Sequence, residues 1–263
     1  AGKYFLEKQQ RSSGVSDSEL IKIAVKSMGL DDLHPFEPQE KIIEYVMAEK
    51  GKKQLVDLDL RSFMETVASE SPAPGGGSVS AYIGTLGVAL GTMVANLSSH
   101  KKGWDDRWKE FSDWAVKGKD IQNRLLDLVD EDTAAYNRII MANRLPKKTD
   151  EEHRIRKNAV SEAYRNAIAV PYKVMETAFE GFEIVKQMAK DGNPASVTDA
   201  AVGGLAILSC IRGAFLNVRI NALGMETDPF VKDIIMKGKS LENKAFNEER
   251  SIMEIVDRQI GNI

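Results

Sequence analysis

The chain has 263 residues, 43% of them hydrophobic, with 36 Lys and Arg against 39 Asp and Glu and a formal net charge of −3. That length and apolar content suffice for one large or two modest buried cores, while the charge balance lacks the basic footprint that a nucleic-acid backbone selects. The single cysteine, Cys210, excludes an intramolecular disulfide framework and fits a reducing compartment, so a cytoplasmic location is expected.

The opening residues, AGKYFLEKQQ, show neither a basic-then-apolar signal peptide nor an Arg-rich presequence, and without an initiator Met the chain reads as cut from a longer one. Helical signals recur from end to end, and no window alternates apolar and polar residues long enough for a sheet, which predicts an all-α fold. Ser16 and Glu19 form a capping box for a helix bearing Ile21, Ala24, Val25 and Met28, with Gly29 at its C-terminal end. A second helix is expected from Pro38. EKGKKQ (49–54) then reads as a charged linker and places a domain boundary near residue 55.

Asp57 or Asp59 can cap a helix carrying Leu60, Phe63 and Val67, which leads into the Pro- and Gly-rich SPAPGGGSVS (71–80). A helix is predicted over 79–99, a turn at Gly103, and a very long helix over 105–143 closed by Pro146. Thr149 and Glu152 form another capping box, opening a helix to Lys190 with Pro171 as a kink. Gly192, Asn193 and Pro194 stop it, Ser196 caps a helix over 197–223, and Thr227 with Pro229 opens the last one. A bundle of long helices is the expected architecture. Residues 75–99 carry no Asp, Glu, Lys or Arg and contain Gly87-x-x-x-Gly91, a spacing also found between membrane helices. Their glycines, serines, threonines and Asn96 make them poorly apolar, so a helix buried in protein is expected rather than a membrane span.

Two stripes of small residues stand out. Gly77, Ser80, Gly84, Gly87, Gly91, Ala95 and Ser98 recur at i+3 and i+4, as do Asp199, Gly203, Ala206, Cys210, Gly213, Asn217 and Asn221. A helix glycine costs about 1 kcal/mol relative to alanine, and close packing of the two seams is the plain compensation. Asp199, Asn217 and Asn221 need hydrogen-bond partners there, in protein or in a ligand.

The loop at 71–80 reads either as an interdomain linker or as a ligand loop. Pro72 and Pro74 stiffen its entry, three glycines leave its tip bare, and it runs into a helix N-terminus where N–H groups and the Ser78 hydroxyl can meet a carbonyl, an amide edge or an anion. It completes neither a P-loop nor a dinucleotide fingerprint. On the long helix, Ile121, Leu125, Leu128, Asp132, Tyr136 and Ile139 share one face, so Asp132 interrupts an apolar stripe while Asp130 points to solvent or a neighbouring helix. Burial raises a carboxylate pKa and suits acid–base work; a structural hydrogen bond is the plainer role for Asp132. His34, His100 and His153 have no partners at motif spacing, and one cysteine with three scattered histidines makes no metal ligand set.

ESPAPGGGSVSAYIGTLGVALGTMV, LVDEDTAAYN, RLPKKTDEE, DGNPASVTDAA and AFLNVRINALGMETD, in this order, resemble the formiminotetrahydrofolate cyclodeaminase family, which includes methenyltetrahydrofolate cyclohydrolases. The resemblance covers residues 56–260, and residues 1–45 resemble the C-terminal tail of a glutamate formiminotransferase. It implies an all-helical homodimer acting on 5-formiminotetrahydrofolate, including polyglutamylated forms, with no metal, nucleotide or cofactor beyond the folate. It also implies an upstream formiminotransferase domain, whose own activity residues 1–55 should lack. By motif, Asp132 matches the catalytic aspartate, Pro74, Gly75, Gly76, Gly77 and Ser78 the substrate-binding loop, and Asp199, Asn217 and Asn221 further polar positions. Lys101, Lys102, Lys147 and Lys148 are candidates, on charge alone, for a polyglutamate tail. A cyclohydrolase on the same scaffold and a non-catalytic dimerisation or folate-docking module are the alternatives.

Overall fold

The computed structural model describes residues 1–47 and 54–261. Of the charged linker expected at 49–54, only Gln54 lies within the described residues. The described residues form ten α-helices and no strand: α1 (Gly2–Lys8), α2 (Asp17–Ser27), α3 (Pro38–Lys41), α4 (Ile43–Met47), α5 (Leu60–Val67), α6 (Gly76–Ser99), α7 (Trp108–Asn143), α8 (Asp150–Asp191), α9 (Val197–Asn221) and α10 (Pro229–Ile260).

Local capping chemistry sets most starts. Ser16 accepts the Glu19 N–H, Asp59 accepts those of Arg61 and Ser62, and Thr149 with Glu152 forms the reciprocal box. At Ser16 only this half of the expected box forms, and expectations change at several other element ends. The helix at Pro38 breaks at Ile42, whose backbone is extended at φ −91° and ψ 120°. Residues 105–107 form a 3₁₀ turn before α7. Ser196 makes no side-chain cap, because Asn193 already caps a 3₁₀ turn at 194–196 that runs straight into α9. Asp228 rather than Thr227 caps α10, accepting the Phe230 N–H at 2.9 Å. Pro171 sits inside α8 without interrupting it.

The four longest helices and α6 bury one core, in which Phe111, Leu125, Ile168, Phe182, Ile207 and Ile252 have almost no exposed surface. α6 packs against α7, α8 and α9, and 61% of its most apolar window is buried within the protein. The two small-residue stripes meet as an antiparallel ladder. Gly76 faces Asn217, Ser80 faces Gly213, Gly84 faces Cys210, and Gly87 faces Gly203. At the last rung a Cβ on either glycine would stand 2.8 Å from the carbonyl oxygen of the other, so neither tolerates a side chain at this separation. The N-terminal segment joins the same bundle. Ser12 donates to Asn96 Oδ1 at 2.6 Å, Asn96 Nδ2 donates to the Gly14 carbonyl at 3.0 Å, and the Ser13 N–H donates to the Ser112 hydroxyl at 3.1 Å.

The rung at Gly203 makes a measurable claim. Gly→Ala inside an ordinary helix stabilises by about 1 kcal/mol, but overpacking a well-filled contact costs about 1–3 kcal/mol. Gly203→Ala should therefore lower the urea midpoint; a higher midpoint would contradict the close approach of α6 and α9.

Candidate active site

The loop preceding α6 ends sooner than its sequence suggests. Gly76 and Gly77 are already helical, with Gly75 as an extended N-cap at φ −126° and ψ −155° that supplies no side chain. The first N–H groups of α6 therefore remain open on the loop side. Across from them stands Asp132, on the face of α7 that the apolar periodicity predicted. The Ser78 hydroxyl donates to Asp132 Oδ2 at 3.0 Å and also lies 3.1 Å from Thr133 Oγ1. A Cβ at Gly77 would overlap the Asp132 carboxylate, so glycine there is a steric requirement for seating the acid against α6.

Asp132 is half-buried, and its carboxyl titrates above the ordinary aspartate range. Desolvation is the dominant cause, and Ser78, through its hydroxyl and backbone N–H, pulls in the opposite direction. Asp130, two residues earlier, turns away as expected and accepts the Leu55 N–H at 2.7 Å, fixing the entry to the helical bundle.

A hollow of about 90 Å³ opens beside Asp132, lined by Pro72, Ala73, Gly75 to Gly77, Tyr136, Asn217 and Asn221, with Ala135, Ile139 and Ala167 as its apolar wall. Asn217 Nδ2 donates to the Gly213 carbonyl at 2.9 Å and Asn221 Nδ2 to the Ala167 carbonyl at 2.8 Å. Each amide is thereby oriented, and each Oδ1 is left without a donor among the described residues. One carboxylate and two amides with unengaged oxygens thus line a hollow that no Lys or Arg among the described residues lines. These acceptors stand beside the open N–H groups at the start of α6, and on their side of the hollow they suit a ligand group that brings N–H donors or a positive charge.

Of the residues expected at the site, Asp132, Gly75, Gly76, Gly77, Asn217 and Asn221 line this hollow. Ser78 does not. Its hydroxyl donates to Asp132 and positions the acid. Pro74 is buried and outside the lining, whereas its neighbours Pro72 and Ala73 contribute to it. Asp199 is displaced more decisively. The antiparallel ladder brings the Asn217 end of α9 to the glycine loop, leaving Asp199 in the first turn at the opposite end, about 27 Å away by helical rise. Lys101 and Lys102 follow the far end of α6, about 36 Å from Gly76 by the same measure, where Lys101 Nζ lies 4.1 Å from the Trp104 ring centroid. Lys147 and Lys148 are exposed in the turn between α7 and α8. Tyr136 was visible only as part of the apolar face, and Ala167 carried no chemical signal at all.

Desolvation of Asp132 couples to stability. A carboxyl whose pKa is higher folded than unfolded binds its proton more tightly in the folded state, so folding is weakened above the folded pKa and regains that stability as pH falls to the unfolded value. Asp132→Asn should therefore raise Tm at neutral pH, with the gain shrinking towards acid; a gain that does not vary with pH would remove desolvation as its cause.

Residues 59–239 match the formiminotransferase-cyclodeaminase family, and residues 1–48 match the formiminotransferase domain family. Formimidoyltransferase-cyclodeaminase of Rattus norvegicus is 36% identical over 217 residues, 82% of this chain but 40% of the relative, so the chain spans about half of that protein's length. Methenyltetrahydrofolate cyclohydrolase of Methylorubrum extorquens is 31% identical over 204 residues, covering 77% of this chain and 97% of the relative. The solved formiminotetrahydrofolate cyclodeaminase of Thermotoga maritima superposes with a TM-score of 0.69 at 22% identity, over 79% of this chain and all of the other, and so shares its fold. By the match over residues 59–239, this chain belongs to the formiminotransferase-cyclodeaminase family.

Proposed function

We propose that this chain converts 5-formiminotetrahydrofolate to 5,10-methenyltetrahydrofolate with release of ammonia. The observation that carries this reading is the half-buried Asp132, held by Ser78 at a hollow that two asparagine amides also line and no Lys or Arg among the described residues does. The substrate's amidine is a cationic group rich in N–H donors, the kind of group that lining accepts. N10 attacks the amidine carbon and forms an aminal. Asp132 takes the N10 proton and returns it to the exocyclic nitrogen, whose C–N bond breaks as ammonia leaves. The carboxylate is regenerated, and only the folate and this chain's own groups enter the scheme. A pKa raised towards the working pH suits a group that must both accept and release a proton.

Residues 56–263 are assigned as the cyclodeaminase domain, and residues 1–55 as the end of a formiminotransferase-like domain with its linker; formimino transfer itself is assigned to the upstream domain. The proposed assembly is a cytoplasmic homodimer. Leu86, Met93 and Leu97 on α6 and Leu205, Leu216 and Ile220 on α9 are exposed, and these are the two most apolar long helices. A second copy covering them would remove that surface from water. Leu216→Asp should convert a dimer to a monomer in sedimentation; a monomeric parent chain would contradict this arrangement.

Cyclohydrolase activity is the second reading, supported by the Methylorubrum relative that this chain matches over nearly its full length. The two separate on one measurement. With 5-formiminotetrahydrofolate, methenyl absorbance and ammonia should rise together, and Asp132→Asn should lower kcat by about 10²–10⁴; absence of ammonia would reject cyclodeamination. Removing the Ser78 hydroxyl takes a hydrogen bond from the ionised carboxylate, so Ser78→Ala should move the acid limb of the pH–rate profile to higher pH. A limb moved to lower pH would contradict the role of Ser78.

A further inference from the structure

The hollow at Asp132 is smaller than the ~300–1,000 Å³ usual for a small-molecule site, so it holds only the reacting part of a larger ligand. One helical turn away, a groove of about 530 Å³ lies between α7 and α8. The register places the two in line along the same helix pair. Ala135 and Ile139 of α7 and Ala167 of α8 line the hollow, and Ala142 with Ala163, the next positions on the same faces, line the groove. From Ala135 to Leu145 this gutter runs about 15 Å by helical rise. It is floored by alanines, which leave width for a flat ring.

Two polar groups in the groove lack protein partners among the described residues. Asn166 Nδ2 is buried and donates no hydrogen bond among the described residues, although a buried donor without a partner is costly. Arg138, on the α7 rim, is exposed and forms no ion pair among the described residues. Glu162 is the one acidic residue of the groove among the described residues and stands on the opposite, α8, side.

Building on the folate reading of the hollow, we propose that this groove is the subsite for the substrate's aminobenzoyl-glutamate arm. The ring lies on the alanine floor, Asn166 Nδ2 donates to the arylamide carbonyl, and Arg138 meets the first glutamate's carboxylates. The groove's outer end points to the α7–α8 turn, where Lys147 and Lys148 continue the positive charge for further glutamates. Glu162 opposes the arm's carboxylates and limits their approach from the α8 side.

The test compares 5-formiminotetrahydrofolate with its pteroate analogue, which lacks the glutamate. Arg138→Gln should raise KM for the folate about tenfold, with kcat and the pteroate KM unchanged, and Glu162→Gln should lower the folate KM. Equal changes for both substrates, or none, would overturn the subsite. Calorimetry with 5-formyltetrahydrofolate, which has the same arm but cannot lose ammonia, separates this claim from the activity. If the parent chain releases no ammonia yet Arg138→Gln weakens folate binding and spares the pteroate form, the subsite stands and the cyclodeaminase reading falls. Unaltered folate binding would reject the subsite whatever the activity.

Discussion

The backbone contact between α6 and α9 at Gly87 and Gly203 sets where everything in the site stands. It is possible only because neither residue carries a Cβ, each of which would meet the other's carbonyl at 2.8 Å. Closing that rung aligns the others, through Gly84 on Cys210 and Ser80 on Gly213, so that Gly76 arrives beside Asn217. The same helix then presents Gly77 to α7, where the missing side chain leaves room for the Asp132 carboxylate. Glycines that are unfavourable for an isolated helix are thus required twice, once for packing and once for the acid.

Seating the acid there has an electrostatic consequence. Burial disfavours its charge, while the Ser78 hydroxyl and the open N-terminus of α6 favour it. These opposing influences leave a carboxyl more basic than an exposed aspartate yet still oriented, the combination a proton shuttle needs. The adjoining amide oxygens of Asn217 and Asn221 favour a cationic ligand over an anionic one, and such a ligand would in turn stabilise the ionised form of Asp132.

Helical periodicity alone made the bundle, both small-residue seams and the inward aspect of Asp132 legible in the sequence. It could not tell which end of α9 meets the loop, because i+3 and i+4 spacing has no direction: Asp199 and Asn217 lie on the same stripe. Only the antiparallel ladder separates them. That Ser78 and Pro74 lie outside the hollow's lining is not legible for a different reason, since the rotation of a side chain at a helix start depends on where that helix begins, and α6 begins at Gly76 rather than at Val79. Caps were readable where one candidate stood alone, as at Ser16 and Thr149. They were misread where Asn193 competed with Ser196 and Asp228 with Thr227. Asn166 offered no pattern, because its significance lies in the partner it lacks.

Asp130 and Asp132 show how one turn of helix divides two tasks between identical side chains. Two residues apart on α7, they differ by about 200° in direction. Asp130 holds the Leu55 N–H, the point at which the chain enters the bundle, and Asp132 holds Ser78 at the start of α6. The segment from Leu55 to Ser78 is therefore anchored at both ends to the same turn. Its intervening residues include α5 and the Pro72–Gly75 loop that walls the hollow. Both ends of that wall are thereby referenced to the helix that carries the acid, so the loop's position relative to Asp132 is set by two hydrogen bonds to one turn of α7 as well as by the loop's own stiffness.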